Sequence, residues 1–381
     1  MAKTAGQREH TVADVAREAG VSKAQAARAL GEYGAVSDAV RSRVVAAAER
    51  LGYRPNQLAR SMNTGRSLSV GVVVGDIENP YFALATRGIS DAVEEHGFTV
   101  VLSNTSERLA AERTAVEMLM DKRVDGLIVA PSTTEAGHLD SVLQAGRPLV
   151  LLDRGVPGLP VDLAGSDVSA AAVEAAEELI ALGHRRIGYI TTSRNDDNRA
   201  SPQEPLSSPV ASRVAALAQA FELNGLRWDE SLLRDGLRGE ASIASAVDDL
   251  VRDKATALIA SDSLIGQVVI AALQQKGLRI PDDVSVLMYD DQPWARLLNP
   301  PITVIAQPTY DIGYTAGSRL AALIQRRSGL PPLSPFPGRL IRRASFGPVR
   351  SAHTGAPDAV EPLEPPMQLA TDAGNSTCTR D

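Results

Sequence analysis

The chain holds a single cysteine, Cys378, three residues from its end. No intrachain disulfide and no cysteine-based metal site can form, which fits a reducing compartment. Aromatic residues make up only 4% of the sequence, so any core must be built from Ala, Val, Leu and Ile. No stretch of about 18 apolar residues exists to cross a membrane. The first ten residues, Met1 to His10, carry no apolar run of the secretory kind. The expectation is a cytoplasmic chain without a membrane partner. The five histidines are scattered without metal-ligand spacing, and no Ser/His/Asp order appears. Gly71-Val72-Val73-Val74-Gly75 lacks the Gly-x-Gly-x-x-Gly order of a dinucleotide site. No catalytic constellation, metal or cofactor is therefore expected, and the chain is not read as an enzyme.

What is present is an ordinary globular composition, 44% hydrophobic and 22% charged over 381 residues, enough for two or three domains. The net charge of −7 is unevenly spread. Residues 1–66 hold 11 Lys/Arg against 6 Asp/Glu, a net of +5, and the remainder holds 28 against 40, a net of −12. A basic head on an acidic body is the pattern of a chain whose head alone meets phosphate, although chance clustering of surface charge gives the same count.

The head reads as consecutive short helices. Thr11 can cap the first, with Asp14 three positions on, and Val12, Val15 and Ala16 form its apolar face. Gly20 supplies the left-handed residue a tight turn needs. Ser22 caps a second helix, Lys23 to Leu30, with Ala26, Ala27 and Leu30 inward and Lys23, Ala24 and Arg28 outward. Ser37 caps a third, Asp38 to Leu51, followed by Gly52 as its C′ residue. Two helices across such a turn have helix-turn-helix logic, with the second offering its N-terminal half to a major groove; an ordinary helical hairpin has the same pattern. A short helical piece, 55–63, and a linker, 64–67, follow.

From Leu68 the texture changes to strands alternating with helices: strands 70–74, 98–102, 126–129, 149–152, 186–191, 256–260 and 284–288, and helices 88–96, 110–121, 139–145, 169–182, 211–224 and 263–276. This alternation predicts doubly wound parallel sheets. Residues 193–209 are polar and proline-rich and read as a loop. Residues 350–381 lack periodicity and read as a disordered tail.

In several stretches the chain resembles the lactose-repressor (LacI/GalR) family of bacterial transcriptional regulators. In the head these are Thr11 to Ala16, Ala19-Gly20-Val21-Ser22, Val36-Ser37 with Arg41 to Val44, and Leu51-Gly52-Tyr53-Arg54-Pro55-Asn56-Gln57-Leu58-Ala59-Arg60-Ser61-Met62. In the body they are Asp76 to Phe82, Val124 to Ile128, Asp153-Arg154, Leu182 to Ile187, Pro281 to Val286, Tyr289-Asp290-Asp291 and Pro300 to Thr303. The resemblance implies an all-α helix-turn-helix head with a hinge helix, and an α/β body of two doubly wound parallel-sheet lobes like a periplasmic binding protein. It places the head at 1–63 (hinge helix 55–63) and the linker at 64–67. The body spans 68–349, with lobe 1 at about 68–167 and 298–328 and lobe 2 at about 168–297 and 329–349.

The resemblance also implies roles. Ser22, Lys23, Ala24, Gln25, Arg28 and Tyr53 fall at DNA-contacting positions of the head, and an arginine there can grip a guanine edge in bidentate fashion. Asn56 and Ala59 belong to a hinge helix that enters the minor groove, and Met62 stands where a leucine wedge is usual. Gln25 and Ala27 replace the common Thr and Ser, and Met288 and Ser261 replace a common Gly and Asn. Ligand residues in such a fold sit at the carboxyl ends of strands facing the cleft between lobes: Asp76, Asn79, Phe82 and Arg154 from the first lobe, Arg213, Asp262 and Asp290 from the second. Trp294 is either an aromatic wall of that cleft or packing for a loop. Asp290-Asp291 reads as a binding carboxylate or cap more readily than as an acid/base pair, and His184 as a cap and packing residue.

The expected function is a DNA-binding regulator, a repressor by preference. It would be a homodimer on a near-palindromic operator, controlled by a small molecule, most simply a sugar or sugar derivative. A nucleobase or nucleoside effector is the alternative, as is a solute-binding protein of transport, which leaves the head unexplained.

Overall fold

The computed structural model describes residues 10–31, 34–53, 66–134, 137–192 and 208–349. The expected hinge helix, most of the 193–209 loop and the C-terminal tail lie outside the described residues.

The head is three helices, α1 (Val12–Ala19), α2 (Lys23–Gly31) and α3 (Asp38–Arg50). Thr11 and Asp14 form a reciprocal capping box at the start of α1. Gly20 ends the helix at φ 63°, its N–H donating to Ala16 and Arg17 carbonyls. A Cβ at Gly20 would meet nothing within 4 Å, so backbone handedness, not space, demands glycine there. Val15, Ala16, Ala19, Ala26, Ala29, Val44, Ala47 and Ala48 form one small core. Within α2 the buried pair is Ala26 and Ala29, whereas Ala27 and Leu30, expected inward, are only partly buried. Ser37 occupies the cap position of α3 without making the side-chain bond expected of it.

Among the described residues the body carries two large sheets and a two-stranded one. The first runs in the order β2-β1-β3-β4-β5, with β1 (Ser69–Val74), β2 (Thr99–Asn104), β3 (Gly126–Val129), β4 (Leu149–Leu152) and β5 (Asp162–Ala164) all parallel. The second runs β13-β11-β10-β9-β7-β8, from β7 (Ile187–Thr192), β8 (Leu233–Leu237), β9 (Ala257–Ala260), β10 (Ser285–Tyr289), β11 (Thr303–Ala306) and β13 (Arg339–Ile341). Among the described strands, only β13 is antiparallel to its neighbour. The central strands are buried along their whole length, which is why they read as continuous apolar runs rather than alternating ones. Helices cover both faces of each large sheet.

Three segments cross between the large sheets. The first leaves β5 through β6 (Ser166–Asp167), which pairs with β12 (Phe336–Pro337) on the third. The second follows β11 and enters the helix Thr309–Ile324, which packs on the first sheet. The expected return to the first lobe at 298 is therefore too early: Thr303–Ala306 still pairs with β10 of the second sheet. The helix expected from Gly88 begins instead at Pro80, because Asn79 caps it by accepting from the Tyr81 N–H and Pro80 occupies its first turn. No helix among the described residues is long and apolar enough to cross a membrane.

His184 pins the end of the body to the second lobe. Its Nε2 lies 3.0 Å from the Gly347 carbonyl, which can only accept, so Nε2 carries the proton and Nδ1 accepts from the Thr256 hydroxyl at 2.8 Å. Burial lowers its pKa, and Arg185 adds to the effect against the Gly347 bond. The unfolded chain takes up this proton near the ordinary value of 6.5 while the fold resists it. His184 therefore contributes full stability above that pH and less as pH falls below it. Urea midpoints measured between pH 7.5 and 5.5 should fall less steeply for His184→Gln than for the unaltered chain; equal slopes would refute the assignment.

Candidate nucleic-acid interface and ligand cleft

On the head, the turn at Gly20 and the cap at Ser22 aim the N-terminal half of α2 outward. Lys23, Ala24, Gln25 and Arg28 are all exposed, while Ala26 and Ala29 face the core. Ser22 and Gln25 form a second capping box. The Gln25 N–H donates to Ser22 Oγ at 3.2 Å, and Gln25 Oε1 accepts from the Ser22 N–H at 3.0 Å and from its hydroxyl at 3.1 Å. The Gln25 carbonyl oxygen is thus spent on the helix end, leaving its amide nitrogen outward. Tyr53 is half-buried and packs against the head core. Lys23 and Arg28 are the long cationic side chains on the exposed face of α2. Asn56, Ala59 and Met62 lie outside the described residues.

A cleft of about 840 Å³ opens between the two sheets at the carboxyl ends of their strands, a size suited to a small metabolite. It brings together Asp76, Asn79, Phe82, Arg154, Arg213, Asp262 and Asp290. It does not take in Trp294. The 3-10 turn Pro293–Arg296 starts three residues past Asp290 and lays the indole against the second-lobe core instead.

The two lobes present matching carboxylates. Asp153 follows β4 and Asp290 follows β10, at φ 65° and 72°. Each backbone N–H donates to the neighbouring strand, Asp153 to Ala164 and Asp290 to Ile305. Aspartate tolerates this left-handed backbone better than most residues, and strain of this kind concentrates at binding sites.

The two guanidinium groups differ. Arg154 is forked onto Glu107, with Nη1 to Oε2 at 2.5 Å and Nη2 to Oε1 at 2.8 Å, and also donates to the Pro131 carbonyl. It lies 5.7 Å over the Phe82 ring. Burial works against its charge, but Glu107 and Asp153 outweigh that and hold its pKa above the ordinary value. Arg154 therefore builds the wall and holds Glu107. Arg213 stacks 4.3 Å over Tyr289 and donates one Nη1 bond of 2.6 Å to the Ser261 carbonyl. Its buried Nε has no hydrogen-bond partner among the described residues; Arg154 Nε has none either, but lies 3.4 Å from the Asp153 carboxylate. An orphaned charged donor at a cleft wall is an opening for a ligand acceptor.

Asp262 caps the helix Ser263–Gln275 through the Ile265 N–H at 2.9 Å, and burial raises its pKa. Asp290 accepts from Gln307 Nε2 at 2.7 Å. Burial pushes its pKa up to about 6 against the pull of Arg213. Asp262 also accepts from the Leu264 N–H, whereas Asp290 keeps its second carboxylate oxygen outside the Gln307 bond. Seven carboxylates (Asp76, Glu78, Glu107, Asp153, Glu240, Asp262, Asp290) and two guanidiniums line the cleft. Side-chain amides and hydroxyls (Asn79, Gln267, Gln307, Thr191, Ser261) stand among them, and this mix of acceptors and donors suits a ligand bearing many hydroxyls. Sequence reasoning missed Tyr81, Glu107, Asp153 and Gln307. Asp153 carried a signal, since it precedes Arg154 just past a strand; Glu107 and Gln307 carried none.

Comparison with known proteins agrees with both parts. Residues 11–56 match the profile described as bacterial regulatory proteins, lacI family, and residues 176–346 match a periplasmic binding protein-like domain. The chain is 30% identical to the HTH-type transcriptional regulator KdgR of Bacillus subtilis over 88% of its length and 97% of that protein's. It is 33% identical to the HTH-type transcriptional regulator PtxS of Pseudomonas putida over 89% and 96%. Among solved structures, a Lac repressor dimer bound to operator and the anti-inducer ONPF aligns with TM-score 0.74 at 25% identity, covering 89% of this chain and all of that one. A transcriptional regulator CelR–cellobiose complex aligns with TM-score 0.63 at 28% identity, covering 88% and 100%. These relatives are regulators and not enzymes.

Proposed function

The chain belongs to the lacI family of bacterial regulatory proteins, and on that premise we propose that it is a homodimeric repressor whose hold on a near-palindromic operator is set by a sugar or sugar derivative bound between its lobes. Binding DNA through the helix-turn-helix head comes with the family; the effector class, the dimer and the residue roles are our reading.

The observation that carries it is the Nε of Arg213, unpartnered among the described residues, in a cleft that also presents seven carboxylates. A polyol satisfies both sides at once, because each hydroxyl accepts from the guanidinium and donates to Asp262 or Asp290. Asp76 and Asn79 reach the same ligand from the first lobe, and Phe82 lies behind them as an apolar wall. The cellobiose complex of the CelR structure supports this class. A ligand touching both lobes favours one spacing between them. A typical coupling of about 1–3 kcal/mol would then change operator affinity by roughly 5- to 150-fold.

Lys23 and Arg28 read base edges from α2, and Asn56, Ala59 and Met62 enter the minor groove beside them. Arg28→Ala should relax the consensus that the chain selects from randomised duplexes at one position of each half-site, besides lowering affinity; an unchanged consensus would remove Arg28 from base reading. For the effector, a thermal-shift screen of sugars, sugar derivatives and nucleosides should return hits among the first two classes. Each hit should change operator affinity, and hits confined to nucleosides would overturn the sugar reading.

A further inference from the structure

At the opposite end of the first lobe from the cleft, the loops that lead into its parallel strands form a floor. Lys122 and Arg123 precede β3, Arg147 precedes β4, Arg66 precedes β1, and Arg326 and Arg327 follow the helix Thr309–Ile324. Arg66, Arg147 and Arg326 border a recess of about 400 Å³ on this floor. Its one acidic lining residue, Asp125, is committed to the chain itself: its oxygens accept from the Ser67 and Leu68 N–H groups at 3.1 and 2.8 Å. Asp121 ends the helix before Lys122, and Glu95, on the loop into β2, accepts from the Tyr314 hydroxyl.

Cations near helix C-termini are common, because they complement the helix dipole, and the second lobe provides the comparison. Its equivalent loops are also basic, but among the described residues most of the cations there are ion-paired: Arg186, Arg252, Lys276 and Arg279 with Asp229, Asp249, Asp248 and Asp283, while Arg185 and Lys254 are not. On the first-lobe floor, none of Lys122, Arg123, Arg147, Arg326 and Arg327 makes an ion pair among the described residues. Unpaired cations gather at one end of a body whose sequence is otherwise acidic. It is the end where the connection from the DNA-binding head arrives, since Ser67 is anchored on it.

We propose that the floor of the first lobe is a second phosphate-binding surface, which holds the DNA backbone beside the operator that the head reads. The proposal rests on the DNA-binding reading, whose own failure would show as no duplex being selected by the unaltered chain. The probe is the duplex that the full chain selects from a random library, titrated between 50 and 200 mM salt. Each phosphate contact contributes about 0.9 to the slope of log K against log salt. A variant with Arg123→Gln, Arg147→Gln and Arg326→Gln should therefore show a slope shallower by roughly 2–3, with the selected consensus unchanged. Replacing the same three by lysine should restore most of the slope. The equal-charge control Arg252→Gln, Lys276→Gln and Arg279→Gln should leave it unaltered. An unchanged slope in the floor variant, or equal losses in floor variant and control, overturns the proposal. So does inorganic phosphate raising the melting temperature of the unaltered chain but not of the floor variant while the slope stays put, because the occupant is then a small anion and not DNA.

Discussion

Gly313→Ala is expected to destabilise the body by about 3 kcal/mol or more, lowering its melting temperature by roughly 6–12 °C. The helices Pro80–Glu94 and Thr309–Ile324 touch backbone to backbone. A Cβ at Gly313 would lie 2.0 Å from the Ala85 carbonyl oxygen and 2.7 Å from its carbon, and one at Gly88 would lie 2.2 Å from the Tyr310 carbonyl oxygen. Neither helix can yield by turning a side chain. The axes must separate, and the apolar layer of Phe82, Ile89, Ile312 and Leu320 between them must loosen. The gain from replacing a helical glycine by alanine, about 1 kcal/mol, is far smaller. Gly266→Ala is the milder comparison: its Cβ would meet the Met288 sulfur at 2.3 Å and Cγ at 2.8 Å, atoms of a buried but flexible side chain that repacks more readily than backbone. Urea midpoints of the two variants test the contrast, and a Gly313→Ala chain no weaker than Gly266→Ala would refute it. The consequence reaches function, because Gln307, which bonds Asp290 in the cleft, stands two residues before the second of these helices.

Much of this architecture was legible in the residues, for reasons that are local. Val70–Val74 and Leu149–Leu152 are apolar runs because both faces of a parallel strand are covered, and their bounds were read almost to the residue. Thr11 with Asp14 and the Gly20 turn are short-range patterns, and so they survive in sequence. The Asn79-Pro80 helix start is a short-range pattern too, although the apolar spacing from Gly88 onward is the stronger signal. What could not be read depends on segments that meet only in the fold. Arg154 appeared as a free ligand residue because nothing in its neighbourhood announces Glu107, which reaches it from another loop. Gln307 is joined to Asp290 by the crossover between lobes. Trp294 looked like a cleft aromatic from its distance to Asp290, yet a single 3-10 turn decides which way an indole faces. The left-handed backbone at Asp153 and Asp290 is equally silent, since no glycine marks it.

Asp290→Asn should stabilise the effector-free body while weakening the effector. Burial holds the Asp290 carboxyl at about 6 in the fold, against 3.8 for an ordinary aspartate. Below about pH 4 both folded and unfolded chains carry the proton and the residue is neutral to stability. As pH rises the unfolded chain releases it first, so folding is increasingly disfavoured until the folded group ionises near 6. Above that the penalty is constant at about 3 kcal/mol. Asparagine avoids the penalty, keeps an Oδ1 to accept from Gln307, and tolerates the left-handed backbone. The variant should therefore gain up to about 3 kcal/mol over the unaltered chain at pH 7.5 and almost nothing at pH 4. Effector binding should move the other way. Losing the charge on the oxygen that faces the cleft removes a charge-assisted hydrogen bond worth about 1.5–3 kcal/mol, a loss of at least roughly ten-fold in affinity. The unaltered chain should lose affinity as pH drops through 6, whereas the variant's weaker affinity should be flat across that range. Urea midpoints at pH 4 and 7.5 and effector titrations from pH 5 to 8 separate the two effects. A variant equally stabilised at both pH values would show that burial of the charge is not the cause. A variant that binds effector as tightly as before would remove Asp290 from the ligand's shell and leave Arg213 without its opposing carboxylate.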